Sequence, residues 1–162
     1  MKPTSLFTVA VAAASFVAAC DDTEPLTKED FSHAAYPEYG YPEANTVTRV
    51  GQWSLSRTSA YTGGQQTFSN DPGATLSISF SGQRVALIGD LDPYRGLAEI
   101  WIDDRLYTTI DCYSPVTKHQ QLLWTSPSLV SGAHTVKVKV LGSKSESSRG
   151  TWVAVDAFKV YA

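Results

Sequence analysis

Asp90, Asp92, Tyr94 and Arg95 stand within six positions of one another, and Tyr113, Lys118 and His119 follow further along the same stretch. Sugar recognition needs residues of these types. An aromatic ring stacks on the apolar face of a pyranose, and charged groups give directional hydrogen bonds to vicinal hydroxyls. Tyr94 and Tyr113 supply the rings, and Arg95, Asp92, Asp90 and His119 the polar partners. Turn chemistry accounts for the same residues equally simply. Asp90 and Asp92 can cap turns, Pro93 and Gly96 can shape a loop, and Tyr113 can lie on the domain's own surface. Both readings stay open at the level of sequence.

Other chemistry is poorly represented. The histidines are His33, His119 and His134. His134 sits in a Gly-Ala-His-Thr turn, where satisfying backbone groups is its natural role. There is no Gly-x-Ser-x-Gly elbow, no His-x-x-x-His and no Cys-x-x-Cys. Asp103 and Asp104 are adjacent on a turn and point apart, which makes them poor acid/base partners. The expectation is a protein that is not an enzyme. Nucleic acid is also excluded as a partner. From Gly51 onward nine acids face ten bases, while the preceding stretch is acidic and repels phosphate.

Strands must position these residues. Leu76, Ile78 and Phe80 alternate with Thr75, Ser77, Ser79 and Ser81, and Val136, Val138 and Val140 alternate with Thr135, Lys137 and Lys139. A period of two marks a strand with one buried face. Residues 84–89 and 97–102 are more continuously apolar, and 105–111, 120–125 and 151–161 complete the set. Turn signals lie between them, such as Asn70-Asp71-Pro72-Gly73, Asp103-Asp104 and Ser126-Pro127. No long amphipathic helix is evident. About nine short strands predict a single antiparallel all-β sandwich over residues 51–162. Because successive strands reverse direction, the loops at 70–73, 90–95, 112–119 and 142–150 share one end. Those at 57–66, 82, 103–104 and 126–131 share the other. Trp53, Trp101, Trp124 and Trp152 fall in strands and read as core or sheet-face packing, with Trp124 the least settled.

The ordered motifs resemble a known family. They are Tyr61-Thr62-Gly63-Gly64, Asn70-Asp71-Pro72-Gly73-Ala74, Phe80-Ser81-Gly82, Val85-Ala86-Leu87-Ile88-Gly89 and Asp92-Pro93-Tyr94-Arg95-Gly96. Ala98-Glu99-Ile100-Trp101-Ile102-Asp103, Asp111-Cys112-Tyr113-Ser114, the 129–135 segment and Val155-Asp156-Ala157-Phe158 follow. Together they resemble the galactose-binding-like jelly-roll modules found beside glycoside hydrolases and in bacterial surface lipoproteins. The resemblance covers residues 52–162 and implies a binding module without catalysis of its own. Asp104 departs from it, standing where the family has Gly; Asp tolerates left-handed backbone, so the hairpin is expected to survive. Some relatives use an acid on the last strand as a ligand of structural calcium, with acids near the first strand. Asp156 is the matching residue, but Val50-Gly51-Gln52-Trp53 supplies no acids. A hydrogen-bonded structural Asp156 is therefore preferred to calcium, and no cofactor is expected. An unpaired buried carboxylate would be costly, so Asp156 needs a partner.

The beginning of the chain carries a different signal. An apolar run over residues 6–17 is shorter than the roughly 20 residues of a membrane span and fits the core of a signal peptide. Val17-Ala18-Ala19-Cys20 resembles the lipobox of bacterial lipoproteins. That resemblance implies removal of residues 1–19, lipid on Cys20 and a membrane-tethered, exported protein of the cell envelope. Lipidation would leave Cys112 without a disulfide partner, as a small packing residue. Residues 20–50 hold seven acids against Lys28 and Arg49, with Pro25, Pro37 and Pro42, and read as an extended tether. Its aromatics Phe31, Tyr36, Tyr39 and Tyr41 are unusual for an inert linker, and the part nearest Gly51 is expected to pack onto the domain, the alternative being a contact segment. The expected partners are the membrane and a polysaccharide or envelope glycan. The alternative is a structural or protein-interaction lipoprotein with no sugar ligand.

Overall fold

A computed structural model of the chain describes residues 47–161. Cys20, the signal sequence and most of the tether lie outside the described residues. The strands are β1 (Val47–Val50), β2 (Ser54–Arg57), β3 (Gln65–Ser69), β4 (Thr75–Gly82), β5 (Arg84–Leu91) and β6 (Leu97–Ile102). They continue with β7 (Arg105–Asp111), β8 (Lys118–Thr125), β9 (Gly132–Val140), β10 (Val153–Val155) and β11 (Ala157–Tyr161). Apart from these, one short 3-10 turn at Thr62–Gly64 is the only helical element among the described residues. The protein is an all-β antiparallel sandwich of the jelly-roll class.

Eleven strands replace the nine expected, for two physical reasons. First, the part of the tether nearest Gly51 packs on the domain, as expected from its aromatics, and it does so as a strand. Val47–Val50 pair antiparallel with β4, Val47 opposite Ile78 and Val50 opposite Thr75. Charge counting groups these residues with the acidic stretch, but their own sequence, Val-Thr-Arg-Val, is β-branched and suits a pleated edge. Second, residues 151–161 form two strands. The ladder breaks at Asp156, with β10 on β3 and β11 on β5.

The first layer runs β1-β4-β9-β6-β7. Its register aligns the alternating apolar residues: Leu76 faces Val138, Ile78 faces Val136, and Ile100 faces Val138 from the other side. The second layer holds two three-stranded ladders, β10-β3-β2 and β11-β5-β8. Asp156 joins them, and its N–H donates to the Ile88 carbonyl at 2.9 Å. The buried core lies between the layers and includes Leu76, Ile78, Leu87, Ile100, Val136, Val138, Val140 and Val153. Cys112 is buried, and burial pushes its thiol up to about 12, as suits a small packing residue.

The tryptophans divide between core and surface. Trp53 and Trp124 pack against the core. Trp101 sits beneath Lys137 and Lys139, 5.6 and 5.8 Å from the ring centre, and donates to Glu99 at 3.0 Å. Trp152 lies 5.3 Å from Phe68. At the 103–104 hairpin both aspartates adopt left-handed backbone, φ 48 and 59, as the departure from Gly requires. They do point apart: Asp103 holds His134 at 2.7 Å and Asp104 holds Lys137 at 2.7 Å.

The loops at 70–73, 90–95, 112–119 and 142–150 do gather at one end. Ser114 N–H donates to the Asp92 carbonyl at 3.3 Å, and Arg149 N–H to that of Pro93 at 2.8 Å. The Ser148 hydroxyl reaches the carbonyl oxygens of Arg95 and Gly150 at 2.5 and 3.0 Å. A Cβ at Gly142 would fall 2.7 Å from Pro72 Cβ.

At Gly89, β5 lies close against β10. A Cβ there would press on the Ala154 carbonyl and stand 2.7 Å from Leu123 Cδ1. Gly89→Ala is expected to cost about 1–3 kcal/mol through overpacking. Chemical denaturation of the full chain measures this; an unchanged midpoint would show that β10 does not press on β5 at this point.

Candidate functional site

Asp90 lies near the end of β5, and its side chain is completely buried. Donors from three directions make that tolerable. Gln66 Nε2 donates to Asp90 Oδ2 at 2.8 Å, His119 Nδ1 lies 3.0 Å from it, and Arg95 Nη2 3.4 Å. The carboxylate only accepts, so the Nδ1 hydrogen belongs to His119 and Nε2 is left for other partners. Arg95 also pairs with Asp92 at 2.8 Å, and its side chain is 11% exposed.

The structure therefore brings Asp90, Asp92, Arg95 and His119 into one connected network. Asp92 performs both roles that its sequence position allows. It pairs with Arg95 and caps a turn, accepting the Tyr94 N–H on Oδ1 at 2.7 Å. Tyr94 flanks the network and is half exposed. Tyr113 joins through its backbone, which forms a parallel bridge with Asp92, while its N–H donates to Asp111 Oδ1 at 2.9 Å. Lys118 sits opposite Leu91 in the β5–β8 ladder.

Three further members escape sequence reasoning: Gln66, Tyr61 and Thr62. Strand parity puts residues 57–66 at the far end of the sandwich. Instead, residues 58–64 fold back over the second layer. The Tyr61 ring stands edge-on to His119 at 5.4 Å. Thr62 donates to Asp156 from its N–H at 2.9 Å and from its hydroxyl at 2.9 Å. Beyond the paired Val155 and Thr67, the next step of the β3–β10 ladder carries Asp156 and Gln66. Only that register shows that Gln66 shares the neighbourhood of Asp156.

Burial pushes the Asp156 carboxyl up to about 6, and the charge of Asp90 adds to the rise, while Thr62's two hydrogen bonds and His119 oppose it. Its direct partners are donors, which suits an anion held by hydrogen bonds better than a calcium ligand. Among the described residues, no group of three or more His, Cys, Asp or Glu is arranged to hold a metal.

Several buried polar atoms in this network have no hydrogen-bond partner: Asp90 Oδ1, Gln66 Oε1 and Arg95 Nε. All three donors to Asp90 converge on Oδ2, so its other oxygen is left over. The array is polar, rigid, and bordered by aromatic rings. It can meet a ligand rich in hydroxyl or amino groups.

No family model matches the sequence. Two curated proteins of Flavonifractor plautii are similar to it. One, named as an A type blood N-acetyl-alpha-D-galactosamine deacetylase, is 28% identical over 89 residues, which is 55% of this chain and 11% of that protein. The other, named as an A type blood alpha-D-galactosamine galactosaminidase, is 26% identical over 106 residues, 63% of this chain and 10% of that protein. The chain thus spans about a tenth of the length of the curated relatives it matches. Among solved structures, a Paenibacillus xanthan lyase shares the fold with TM-score 0.51 and 16% identity, over 71% of this chain and 12% of that one. A family 35 carbohydrate binding module from Clostridium thermocellum overlaps 72% of this chain and 93% of its own, with 14% identity and TM-score 0.45. The names of the curated relatives overturn the expectation of a protein that is not an enzyme. Both relatives are named as enzymes, and the similarity points to carbohydrate-active proteins. The motif search that led to that expectation tests for self-contained catalytic signatures, and it is blind to a module that recurs inside much longer enzymes.

Asp156 gives a pH test of the network. Its folded-state value, about 6, lies above the ordinary 3.8. The group therefore contributes stability that is fully present below about 3.8 and lost as pH rises through about 6. Asp156→Asn keeps the size and can still accept from Thr62. At pH 7.5 it is expected to raise Tm by about 3–6 °C, corresponding to about 1 kcal/mol, and to flatten the difference between pH 5 and pH 7.5. Calorimetry of both proteins at the two pH values checks this. A loss of stability at pH 7.5 would show that the charged form is the one the fold favours.

Proposed function

We propose that the β-sandwich binds a glycan at the loop end where Asp92, Tyr94, Arg95, Tyr113 and His119 gather around the buried Asp90 and Gln66. The buried, connected network around Asp90 carries this reading. Asp90, Gln66, Arg95 and Asp92 are held there largely out of water, beside the more exposed His119 and a half-exposed tyrosine, at the end where four loops gather. A core of equal volume made of apolar side chains would stabilise the fold as well or better. A preorganised set of hydrogen-bonding groups beside an aromatic face is, however, what sugar hydroxyls require. The names of the two curated relatives support the reading from another side and suggest terminal galactose-type residues, with or without a 2-amino substituent, as the first ligands to test.

Isothermal titration calorimetry of the full chain with galactosides and N-acetylgalactosaminides tests the proposal. Saturable binding is expected. Arg95→Ala should weaken it about 10- to 100-fold, because the directional donor is lost and Asp90 and Asp92 lose a partner. Tyr94→Ala should weaken it by a smaller factor. Binding unaffected by either substitution would place the site elsewhere.

We further propose that Cys20 carries the lipid anchor that holds this domain at a membrane of the cell envelope. The apolar run over 6–17 and the Val17-Ala18-Ala19-Cys20 motif support this. Two or three acyl chains at about 0.8 kcal/mol per buried methylene suffice for stable anchoring. Cys20→Ser is expected to abolish incorporation of a fatty-acid label and move the protein from the membrane to the soluble fraction of a bacterial host. A membrane-bound, unlabelled serine variant would refute it.

A further inference from the structure

We propose that His134, Asp103 and the Val130 carbonyl form an acid-fastened clasp: the protonated ring pins the tip of the 126–131 loop to the 103–104 hairpin, and loss of one ring proton releases the tip. The clasp stands at the end of the sandwich opposite the candidate site and is independent of the glycan-binding reading.

Both ring nitrogens of His134 meet groups that only accept. Nδ1 lies 2.7 Å from Asp103 Oδ2, and Nε2 lies 2.7 Å from the Val130 carbonyl oxygen. A carbonyl has no hydrogen to give, and neither has an ionised carboxylate. Asp103 is ionised: the His134 ring, and the Thr135 N–H that donates to Oδ1 at 2.9 Å, hold its carboxyl below the usual range. Either neutral tautomer of the ring carries one N–H, so it satisfies one partner and turns a lone pair on the other. Only the imidazolium donates to both. The side chain is 13% exposed, which leaves water little room to replace a lost partner.

The base of the loop is pinned separately. Ser126 N–H donates to the Val85 carbonyl at 2.8 Å, and Leu129 N–H to that of Gln83 at 2.7 Å. Val130 lies beyond these ties and is 84% exposed, so packing does little to hold it. The loop carries the chain from β8 in the second layer to β9 in the first, and the hairpin joins β6 to β7. The clasp thus fastens a crossover between the layers to a turn of one of them.

Asp103 is the charged group that meets the ring. Asp104 on the same hairpin is taken by Lys137 of β9 at 2.7 Å, and Arg84 of β5 reaches the Ser128 hydroxyl on the loop at 3.3 Å. Arg105 follows the hairpin at the start of β7 and is exposed. β4 contributes the uncharged Phe80 ring, 5.6 Å from that of His134. The Val130 carbonyl raises the His134 value above the ordinary 6.5, Asp103 adds to the rise, and burial opposes it. The clasp therefore contributes stability that is fully present below about 6.5 and lost as pH rises through the raised value.

NMR of the isotopically labelled full chain tests this residue by residue, which separates His134 from Asp156. At pH 5.5 both ring nitrogens of His134 are expected to carry hydrogen, and the ring is expected to titrate above 6.5. Backbone order parameters at Val130 and Ser131 should be about 0.85 at pH 5.5 and fall below about 0.6 at pH 8.5, following the His134 titration, while Leu129 stays rigid. Asp103→Asn can turn its amide nitrogen to Nδ1 while its oxygen keeps the Thr135 N–H, so the neutral ring then satisfies both partners. In that variant the His134 titration should shift down and the tip should stay ordered at pH 8.5. The titration of the unaltered chain needs no variant, so misfolding of Asp103→Asn would not blunt the test. A His134 midpoint at or below 6.5, or a tip whose order does not follow that titration, overturns the proposal.

Discussion

A single carboxylate oxygen, Asp90 Oδ2, organises the end of this sandwich. Placing a charge where water cannot reach it is unfavourable unless donors replace the water. Here Gln66 comes from β3, Arg95 from the loop after β5, and His119 from β8. Each is fixed by the need to meet the same atom. Arg95 in turn fixes Asp92, and Asp92 caps the turn that presents Tyr94. The ladders of the second layer and the loop after β5 are thereby tied to one point, and the candidate site inherits its rigidity from that constraint.

The tie also explains why residues 58–64 leave the position that strand parity gives them. Asp156 interrupts the last strand, and its carboxylate needs donors of its own. Thr62 supplies two of them, which pulls the turn back across the layer and sets Tyr61 against His119. The site is accordingly built on a sheet face as much as on loop tips. Its buried members are Gln66 and Asp90, with Arg95 and His119 on Asp90 and Tyr61 against His119.

Much of the fold was legible in the chain because its signals are local. Period-two alternation marks β4 and β9 without ambiguity, and their buried residues are the ones the alternation selects. The gathering of four loops follows from strand reversal alone. The four polar members of the network from Asp90 to His119 were legible as residue types at one end. Gln66 was not, because its membership depends on a register between β3 and β10 that no short-range pattern encodes. The same holds for β1, whose four residues follow an acidic stretch and become strand only when β4 offers an edge. The kinship to enzymes was hidden for a different reason. It resides in similarity over about a hundred residues, with no catalytic motif to announce it.

The interruption at Asp156 has a consequence in time as well as in space. β10 and β11 come after every other strand in chain order, yet they pair with β3 and β5, some 70 to 90 residues earlier. Neither three-stranded ladder of the second layer can close until this final segment is present. Contacts of such high sequence separation make folding slow, because the entropy of closing long loops must be met before pairing offsets it. The second layer therefore behaves as a zip with one slider: β3 and β5 each keep an open edge until residues 153–161 pair with them and close both ladders together.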